Sequence, residues 1–124
     1  MAAKLIRIAD AEHYTWGGTN GGDCDGWHLV RTPELSIIEE RMPAGAREVR
    51  HHHVRARQFF YVLEGELNLE VEGDEVAVRA GEGVEIGPGV AHQAINRSGS
   101  AVRFLVTSQP PSHGDRVNCP VLLR

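Results

Sequence analysis

The sequence predicts an all-β fold, because short apolar runs recur at regular intervals and tight-turn residues separate them. From Leu35 onward the runs repeat about every eight to twelve residues, a spacing typical of sandwiches and barrels. Several runs alternate apolar with polar residues, as in Leu67 to Val71, which is the pattern of a strand with one buried face. The 14 glycines and 6 prolines supply many tight turns.

Eight strands follow from this reading, and turn sequences such as Glu72-Gly73-Asp74 and Gly87-Pro88-Gly89 separate them. A helical period is weak and confined to residues 8–14. Hairpins are therefore the expected connections between neighbouring strands. The predicted strands cover residues 35–42, 49–53, 58–63, 66–71, 75–79, 84–86, 92–96 and 102–107.

The length of 124 residues fits one domain with its own core. We expect residues 1–26 to form an N-terminal arm, since residues 17–26 are too polar and glycine-rich for a strand or helix. Residues 27–108 should form the β-barrel. Residues 109–124 begin at a double proline and should pack, as a C-terminal extension, on the barrel or on a partner subunit.

Charge and composition argue against several classes of partner. The net charge of -4 gives no electrostatic reason to bind nucleic acid or an anionic membrane surface, and no helix-turn-helix pattern is present. No apolar run is long enough for a secretion signal or a membrane span, so the expected location is cytoplasmic. The two cysteines, far apart in sequence, are predicted to be free thiols.

Histidines provide the strongest chemical signal. On an extended strand His51 and His53 point to the same face, with Cβ atoms about 6 to 7 Å apart, while His52 points away. His92 follows the turn at Pro88-Gly89. Imidazole is a common ligand for first-row metals, so His51, His53 and His92 are predicted to hold one ion. The competing interpretation is that some of them are buried or surface histidines without a metal.

Two spaced motifs resemble those of the cupin superfamily. The first runs Gly45-x5-His51-x-His53-x4-Gln58-x6-Gly65, and the second runs Gly81-x5-Gly87-Pro88-Gly89-x2-His92-x3-Asn96. Gln58 stands where the family has Glu, and Gly87 stands where it has Pro. The resemblance implies a small single-domain barrel, a jelly-roll-like double-stranded β-helix of two facing sheets. It also implies that the three histidines and the motif's acidic position share one metal.

Gln58 in the acidic position makes the expected ligand set neutral. A divalent ion then keeps its full charge and becomes a stronger Lewis acid. Such a set favours iron, nickel, copper or zinc over manganese, which prefers carboxylate oxygens. We therefore expect one divalent transition metal ion as cofactor. The alternatives are that Gln58 does not ligate or that the barrel holds no metal.

Other residues are candidates for substrate contact or catalysis. Alternation puts Phe60 and Val62 on the barrel-facing side of the strand with Gln58. Arg47 belongs to a group with Arg50, Arg55 and Arg57, which either rings the barrel mouth and attracts an anion or is a solvated rim. Glu40 is the candidate catalytic acid of the interior.

On the predicted strand 58–63, the face opposite Gln58 carries Phe59 and Tyr61. An apolar pair of this kind is typical of a subunit interface, so a homodimer is expected. The leading functional hypothesis is a metal-dependent small-molecule enzyme of dioxygenase type. A second is a metal-dependent sugar or sugar-acid isomerase or epimerase with Glu40 as the base. A third is a non-catalytic cupin that binds a small ligand.

Overall fold

The computed structural model describes residues 3–17 and 23–120, which fold into two antiparallel sheets. A short 3-10 turn, Ile8–Asp10, precedes the first strand. The strands are β1 (Glu12–Gly17), β2 (Asp23–Arg31), β3 (Ser36–Met42), β4 (His51–His52), β5 (Arg57–Glu64), β6 (Glu66–Val71), β7 (Asp74–Arg79), β8 (Gly83–Ile86), β9 (His92–Ile95), β10 (Val102–Gln109) and β11 (Val117–Asn118).

The larger sheet has the order β1-β2-β3-β10-β5-β8, and the smaller has the order β11-β4-β9-β6-β7. Every strand predicted from Leu35 onward is present, although β4 is shorter and β10 longer than expected. All pairings between these strands are antiparallel. The predicted all-β fold, a double-stranded β-helix of two sheets, is confirmed.

Three strands lie outside the predicted set, namely β1 and β2 in the N-terminal part and β11 in the C-terminal segment. In the glycine-rich stretch the predicted loop is wrong. Residues Asp23 to Gly26 are the first part of β2 and not a loop, while residues 18–22 lie outside the described part of the chain. Pairing with β1 on one side and β3 on the other outweighs the poor strand propensity of glycine. The boundary expected between residues 26 and 27 therefore falls inside a strand.

Gly26 has a specific packing reason to be glycine. It lies opposite Tyr14 on β1 and opposite Glu40 on β3, so the three residues form a row across the sheet. A Cβ atom on Gly26 would lie 2.2 Å from Cζ of Tyr14. The Tyr14 ring therefore crosses β2 through the space that a side chain would occupy, and it reaches the interior of the barrel.

Apolar side chains from both sheets fill the interior. On β5 the predicted alternation is confirmed, since Phe60 and Val62 are buried while Phe59 is 43% exposed. Val62 is fully buried in the core that lies between the sheets. Burial of this apolar surface is the main stabilising contribution to the fold, at about 25 cal/mol per Å². The other core side chains include Met42, Leu67, Leu69, Val102 and Phe104.

The segment after β10 returns across the barrel and joins the smaller sheet. Its strand β11 pairs with β4, with Val117 opposite His52 and Asn118 opposite His51. The amide of Cys119 donates to the carbonyl of Arg50 at 2.9 Å. This places the C-terminal segment beside the histidine motif.

Cys24 is buried and Cys119 is partly buried, and no disulfide joins them.

Within residues 3–17 and 23–120, no helix has the length and apolar character needed to cross a membrane.

Asn96 connects two loops at the end of the barrel, and its side chain is fully buried. Its Nδ2 donates to the carbonyls of Met42, Pro43 and Ser100, at 3.0, 3.2 and 2.8 Å. Its Oδ1 accepts hydrogen bonds from the backbone amide and hydroxyl of Ser98, at 3.0 and 2.7 Å. The side chain thus satisfies polar groups of two loops at once.

Replacing Asn96 with Ala should lower the free energy of unfolding by about 3 kcal/mol, because several buried polar groups lose their partner together. Denaturant melts of the two proteins measure this difference. Asn68→Ala is a matched control, since Oδ1 of Asn68 accepts one exposed hydrogen bond at 3.3 Å, and its loss should be below about 0.5 kcal/mol. Equal losses in the two variants would contradict this role of Asn96.

Candidate metal centre

Three histidines converge on one point inside the barrel. His51 lies opposite His92 in the pairing of β4 with β9, and His53 follows β4. The ring centroid of His51 lies 4.8 Å from the centroid of His53 and 4.6 Å from that of His92. All three rings are buried, and one candidate ligand atom from each lies within 4.8 Å of the others. This is the cluster predicted from the sequence.

Backbone carbonyls fix the orientation of each ring. Nδ1 of His51 donates to the carbonyl of Val49 at 2.7 Å, and Nδ1 of His92 donates to that of Val90 at 2.9 Å. Nδ1 of His53 donates to the carbonyl of Asp115 at 2.6 Å. A carbonyl can only accept, so each ring carries its proton on Nδ1 and keeps a lone pair on Nε2. Hydrogen bonds of this kind orient imidazole ligands toward a metal.

Buried atoms without partners test whether a metal fits. Among the described residues, Nε2 of His53, Nε2 of His92 and Oε1 of Gln58 are buried and have no hydrogen-bond partner. Gln58 donates from Nε2 to the hydroxyl of Ser108 at 3.0 Å, so its oxygen is the free end of the amide. Burying three electron-pair donors without partners lowers the stability of the fold unless a cation accepts their lone pairs. The donor set therefore fits a transition metal ion.

Burial keeps His51 and His92 neutral, as a metal requires. It lowers the pKa of His51 to about 3 and that of His92 to about 4, with a further lowering from the positive charge of Arg116. The hydrogen bonds to the Val49 and Val90 carbonyls oppose this shift but do not cancel it. Neutral imidazoles are the ligand form at physiological pH.

Asp115 links the C-terminal segment to the metal centre. Its carboxylate accepts three backbone hydrogen bonds from Val54, Arg55 and Ala56, at 2.8, 2.9 and 3.0 Å, and these lower its pKa. Its carbonyl accepts the Nδ1–H of His53. One residue therefore holds both the loop after His53 and the ring of His53 itself.

The cavity in front of the histidines has a volume of about 250 Å³ and contains two carboxyl groups, Glu40 and Glu48. Arg116 and Tyr14 also line it. Polar and apolar walls alternate, as in many small-molecule sites. The remaining lining residues are Trp16, Ile38, His51, His53, Gln58, Phe60, Ala94, Phe104, Val106, Ser108 and Ser112.

Both carboxyl groups hold their protons more strongly than usual. Burial, with the nearby charge of Glu48, raises the pKa of Glu40 to about 8. Burial raises the pKa of Glu48 to about 7, although the Ala94 amide and Arg116 act in the opposite direction. Glu40 keeps partial solvent access because it faces the cavity. A pair of perturbed carboxyls beside a metal site is typical of a functional site.

Glu48 was missed by the sequence reading for a geometric reason. It precedes His51 by three residues, and strict alternation would put it on the opposite face of a strand. Residues 48–50 are not in a strand, so the alternation breaks there. The Glu48 carboxylate turns inward, accepts the Ala94 amide at 2.8 Å and lies 3.9 Å from Nδ1 of His51.

Tyr14 and Arg116 were also missed, because each comes from a segment outside the two motifs. Burial and the charge of Glu40 raise the pKa of Tyr14, so its hydroxyl stays protonated. The guanidinium of Arg116 donates to the carbonyl of Val49 at 3.1 Å. No local signal in the sequence marks either residue, since only the strand pairing brings them to the cavity.

The candidate substrate residues occupy three different environments. Phe60 lines the cavity, with its ring centroid 5.9 Å from that of His92. Val62 belongs to the core and does not line the cavity, and Arg47 is half-buried in a bridge with Ile95 outside it. Their contact with a substrate stays a prediction, as do the metal ligation by Gln58 and the catalytic role of Glu40.

The family model for the cupin domain matches residues 38–108, which is more than half of the chain. This chain is a cupin. An uncharacterized protein of Methanocaldococcus jannaschii is 28% identical to it over 89 residues, which cover 71% of each chain. The resemblance seen in the two motifs is therefore confirmed.

Solved structures share the fold of this cupin at low sequence identity. A predicted oxalate decarboxylase of Thermotoga maritima has a TM-score of 0.78 and 19% identity, and the match covers 87% of this chain and 100% of that one. A cupin sugar phosphate isomerase of Silicibacter pomeroyi has a TM-score of 0.75 and 21% identity, covering 87% and 76%. A Streptomyces nucleoside dehydratase has a TM-score of 0.77 and 13% identity, covering 98% and 95%.

Replacing His53 with Ala should lower the affinity for a divalent metal by about 100-fold or more, because one of three converging imidazoles is lost. His52→Ala is the matched control, since that ring faces the other way, with its Nδ1 3.8 Å from Sγ of Cys119. Elemental mass spectrometry of the untagged cupin, normalised to protein, measures the bound metal. Unchanged metal content in His53→Ala would refute the ligand assignment.

Replacing Gln58 with Glu should raise the affinity for Mn²⁺ by about tenfold relative to Zn²⁺, because a negative charge enters the ligand set. Competitive metal titration of both proteins measures the ratio. Gln109→Glu adds the same charge at the exposed end of β10 and should leave the ratio unchanged. An unchanged ratio in Gln58→Glu would mean that residue 58 does not contact the ion.

Proposed function

We propose that this cupin is a metal-dependent isomerase or epimerase of a sugar or sugar-like acid, which moves a proton on a carbon next to a carbonyl. The observation that carries the proposal is the position of Glu40, whose carboxyl faces the same cavity as His51, His53 and His92. The reaction needs two parts, a Lewis acid at the carbonyl oxygen and a proton carrier at the adjacent carbon. The cavity offers residues for both.

The three histidines, with Oε1 of Gln58 beside them, are the residues that would hold the ion. A divalent ion bound there would polarise the carbonyl oxygen of the substrate as a Lewis acid. Because none of these donors is charged, the positive charge inside the barrel is not neutralised by the ligands. A substrate oxygen with partial negative charge is therefore favoured at this point.

Glu40 is suited to carry the proton. Among the described residues, none donates a hydrogen bond to its carboxylate, so both oxygens are available to a substrate. Burial raises the pKa of Glu40 to about 8, which makes its protonated and ionised forms accessible near neutral pH. The carboxylate takes the proton from the substrate carbon, and the resulting carboxyl returns it to the neighbouring position.

Tyr14 supports this role by its position. Its ring crosses Gly26 in the row that ends at Glu40, and its hydroxyl stays protonated because burial and Glu40 raise its pKa. A protonated phenol can donate to a substrate hydroxyl without competing for the transferred proton. The polar wall formed by Tyr14, Glu48 and Arg116 matches a substrate rich in hydroxyl or carboxylate groups.

The fold comparisons are compatible with this proposal. A sugar phosphate isomerase and a nucleoside dehydratase are built on the same barrel. The first acts on a sugar phosphate and the second on a nucleoside, and both are small hydroxylated molecules. Fold likeness alone does not fix a reaction, so the argument rests on Glu40 and the metal-competent histidines.

The dioxygenase, binding, homodimer and location hypotheses stand apart from this proposal. The dioxygenase interpretation and the non-catalytic binding interpretation each stay predictions without a specific supporting contact in the cavity. The homodimer through Phe59 and Tyr61 and the cytoplasmic location are likewise untested. The rings of Phe59 and Tyr61 stack on each other, with centroids 6.2 Å apart, on the face of β5 that points away from the core.

Proton exchange at carbon tests the proposal without a known natural substrate. The metal-loaded cupin is incubated under nitrogen in D₂O with a panel of aldoses, ketoses and uronic acids, and proton NMR follows loss of the signal next to the carbonyl. We expect exchange with at least one compound, and Glu40→Gln should slow it by about 100-fold or more, because the proton carrier is removed.

Glu39→Gln is the matched control. Glu39 does not line the cavity and pairs with Arg103 at 2.5 Å, although it is buried, so its variant should keep full exchange. Metal content measured in parallel should be unchanged in both variants. Exchange that survives in Glu40→Gln would refute the assigned role. Substrate consumption that appears only when the incubation is repeated in air would instead support the dioxygenase interpretation. Tight binding without exchange would support the binding interpretation.

A further inference from the structure

A second cavity adjoins the metal cavity on the side of the N-terminal hairpin. Its volume is about 760 Å³, and Tyr14, Ile38 and Ser112 line both spaces. We call this second space the outer chamber. The shared residues place the outer chamber next to the histidine cavity, with Tyr14 in the wall of both. The other residues of the outer chamber are Glu12, His28, Arg31, Thr32, Pro33, Ser36, Arg55, Pro110, Pro111 and His113.

Positive charge predominates in the outer chamber although the whole chain carries a net charge of -4. Its charged side chains are Arg31, Arg55 and Glu12. Arg31 donates to Glu12 at 2.6 Å, which neutralises both groups. The guanidinium of Arg55 has no ion-pair partner within residues 3–17 and 23–120. Arg55, an exposed residue whose positive charge has no ion-pair partner in the described part of the chain, thus lines a cavity beside the candidate active site.

The position of Arg55 is fixed by the C-terminal segment. Its backbone amide donates to the carboxylate of Asp115 at 2.9 Å, and the carbonyl of Asp115 accepts from His53. The chain thus anchors Arg55 and the metal-facing ring through the same residue. Asp115 thus fixes the backbone from which the exposed side chain of Arg55 extends.

Two histidines add neutral hydrogen-bonding groups to the wall. Burial, followed by the charge of Arg31, lowers the pKa of His28, so its ring adds polarity without charge. The ring of His28 packs on that of Tyr14, with centroids 5.1 Å apart. His113, in the C-terminal segment, also lines the chamber. Arginine and imidazole donors together are typical of oxyanion recognition.

We infer that the outer chamber binds an oxyanion group of the substrate, a phosphate ester or a carboxylate, with Arg55 as its principal ligand. The inference deepens the proposed function, because it assigns the remote end of the molecule whose carbonyl lies at the histidines. The substrate is then an anionic sugar derivative, and its anionic end lies beyond Tyr14. Arg55 is a specificity-determining residue and takes no part in proton transfer.

Binding of inorganic phosphate to the metal-free cupin tests this inference separately from catalysis. Phosphorus NMR follows line broadening of phosphate as protein is added at low ionic strength. We expect wild type to bind phosphate, and Arg55→Gln to weaken binding by about tenfold, because a charge-assisted contact is lost. Arg57→Gln is the matched control, since Arg57 is exposed and paired with Glu85 at 3.4 Å outside the chamber.

Each outcome has a definite reading. No broadening in wild type, or equal weakening in Arg55→Gln and Arg57→Gln, would overturn the inference even if carbon-proton exchange were observed. Weakening confined to Arg55→Gln would support it even if no exchange were found. Acetate added as competitor separates the two ligands: displacement of phosphate at equal concentration indicates a carboxylate site, and persistence of phosphate binding indicates a phosphate ester site.

Discussion

Hydrogen bonds from three imidazole Nδ1 atoms to backbone carbonyls are the interaction on which the candidate metal centre depends. They set the tautomer of His51, His53 and His92 and direct the Nε2 lone pairs to one point. Val49 and Val90 lie two residues before the rings that they hold, whereas Asp115 lies in the C-terminal segment, so the orientation of His53 depends on a long-range contact. Disturbing one carbonyl would misdirect a ring without changing any ligand residue.

Closure of the barrel relies on segments outside the two motifs. The N-terminal hairpin brings Tyr14 across Gly26 into the cavity, and the C-terminal segment brings Asp115 behind His53 and Arg116 to the cavity wall. Both are joined to the barrel by strand pairing or buried hydrogen bonds. The ends of the chain are therefore structural parts of the site and also supply its polar groups.

The interior combines a neutral ligand set with acids that burial keeps partly protonated. Gln58 removes the carboxylate from the position beside the histidines, while Glu40 and Glu48 place carboxyl groups elsewhere in the same cavity. The position of Gln58 beside the histidines therefore carries no charge, and the ionisable carboxyl groups of the cavity are those of Glu40 and Glu48. This separation suits the proposed proton transfer at a carbon next to a polarised carbonyl, and the arginines of the outer chamber suit the proposed anionic substrate.

The sequence by itself determined the all-β class, the strands from Leu35 onward, the inward face of β5 and the three histidines, because alternation and turn residues act over a few neighbouring positions. It placed Glu40 inside but missed Glu48, whose inward direction comes from an irregular segment. Only the tertiary structure decided that Asp23–Gly26 pairs as a strand and that Tyr14, Asp115 and Arg116 reach the site. These contacts join residues far apart in sequence, so they depend on how the sheets close and not on local pattern.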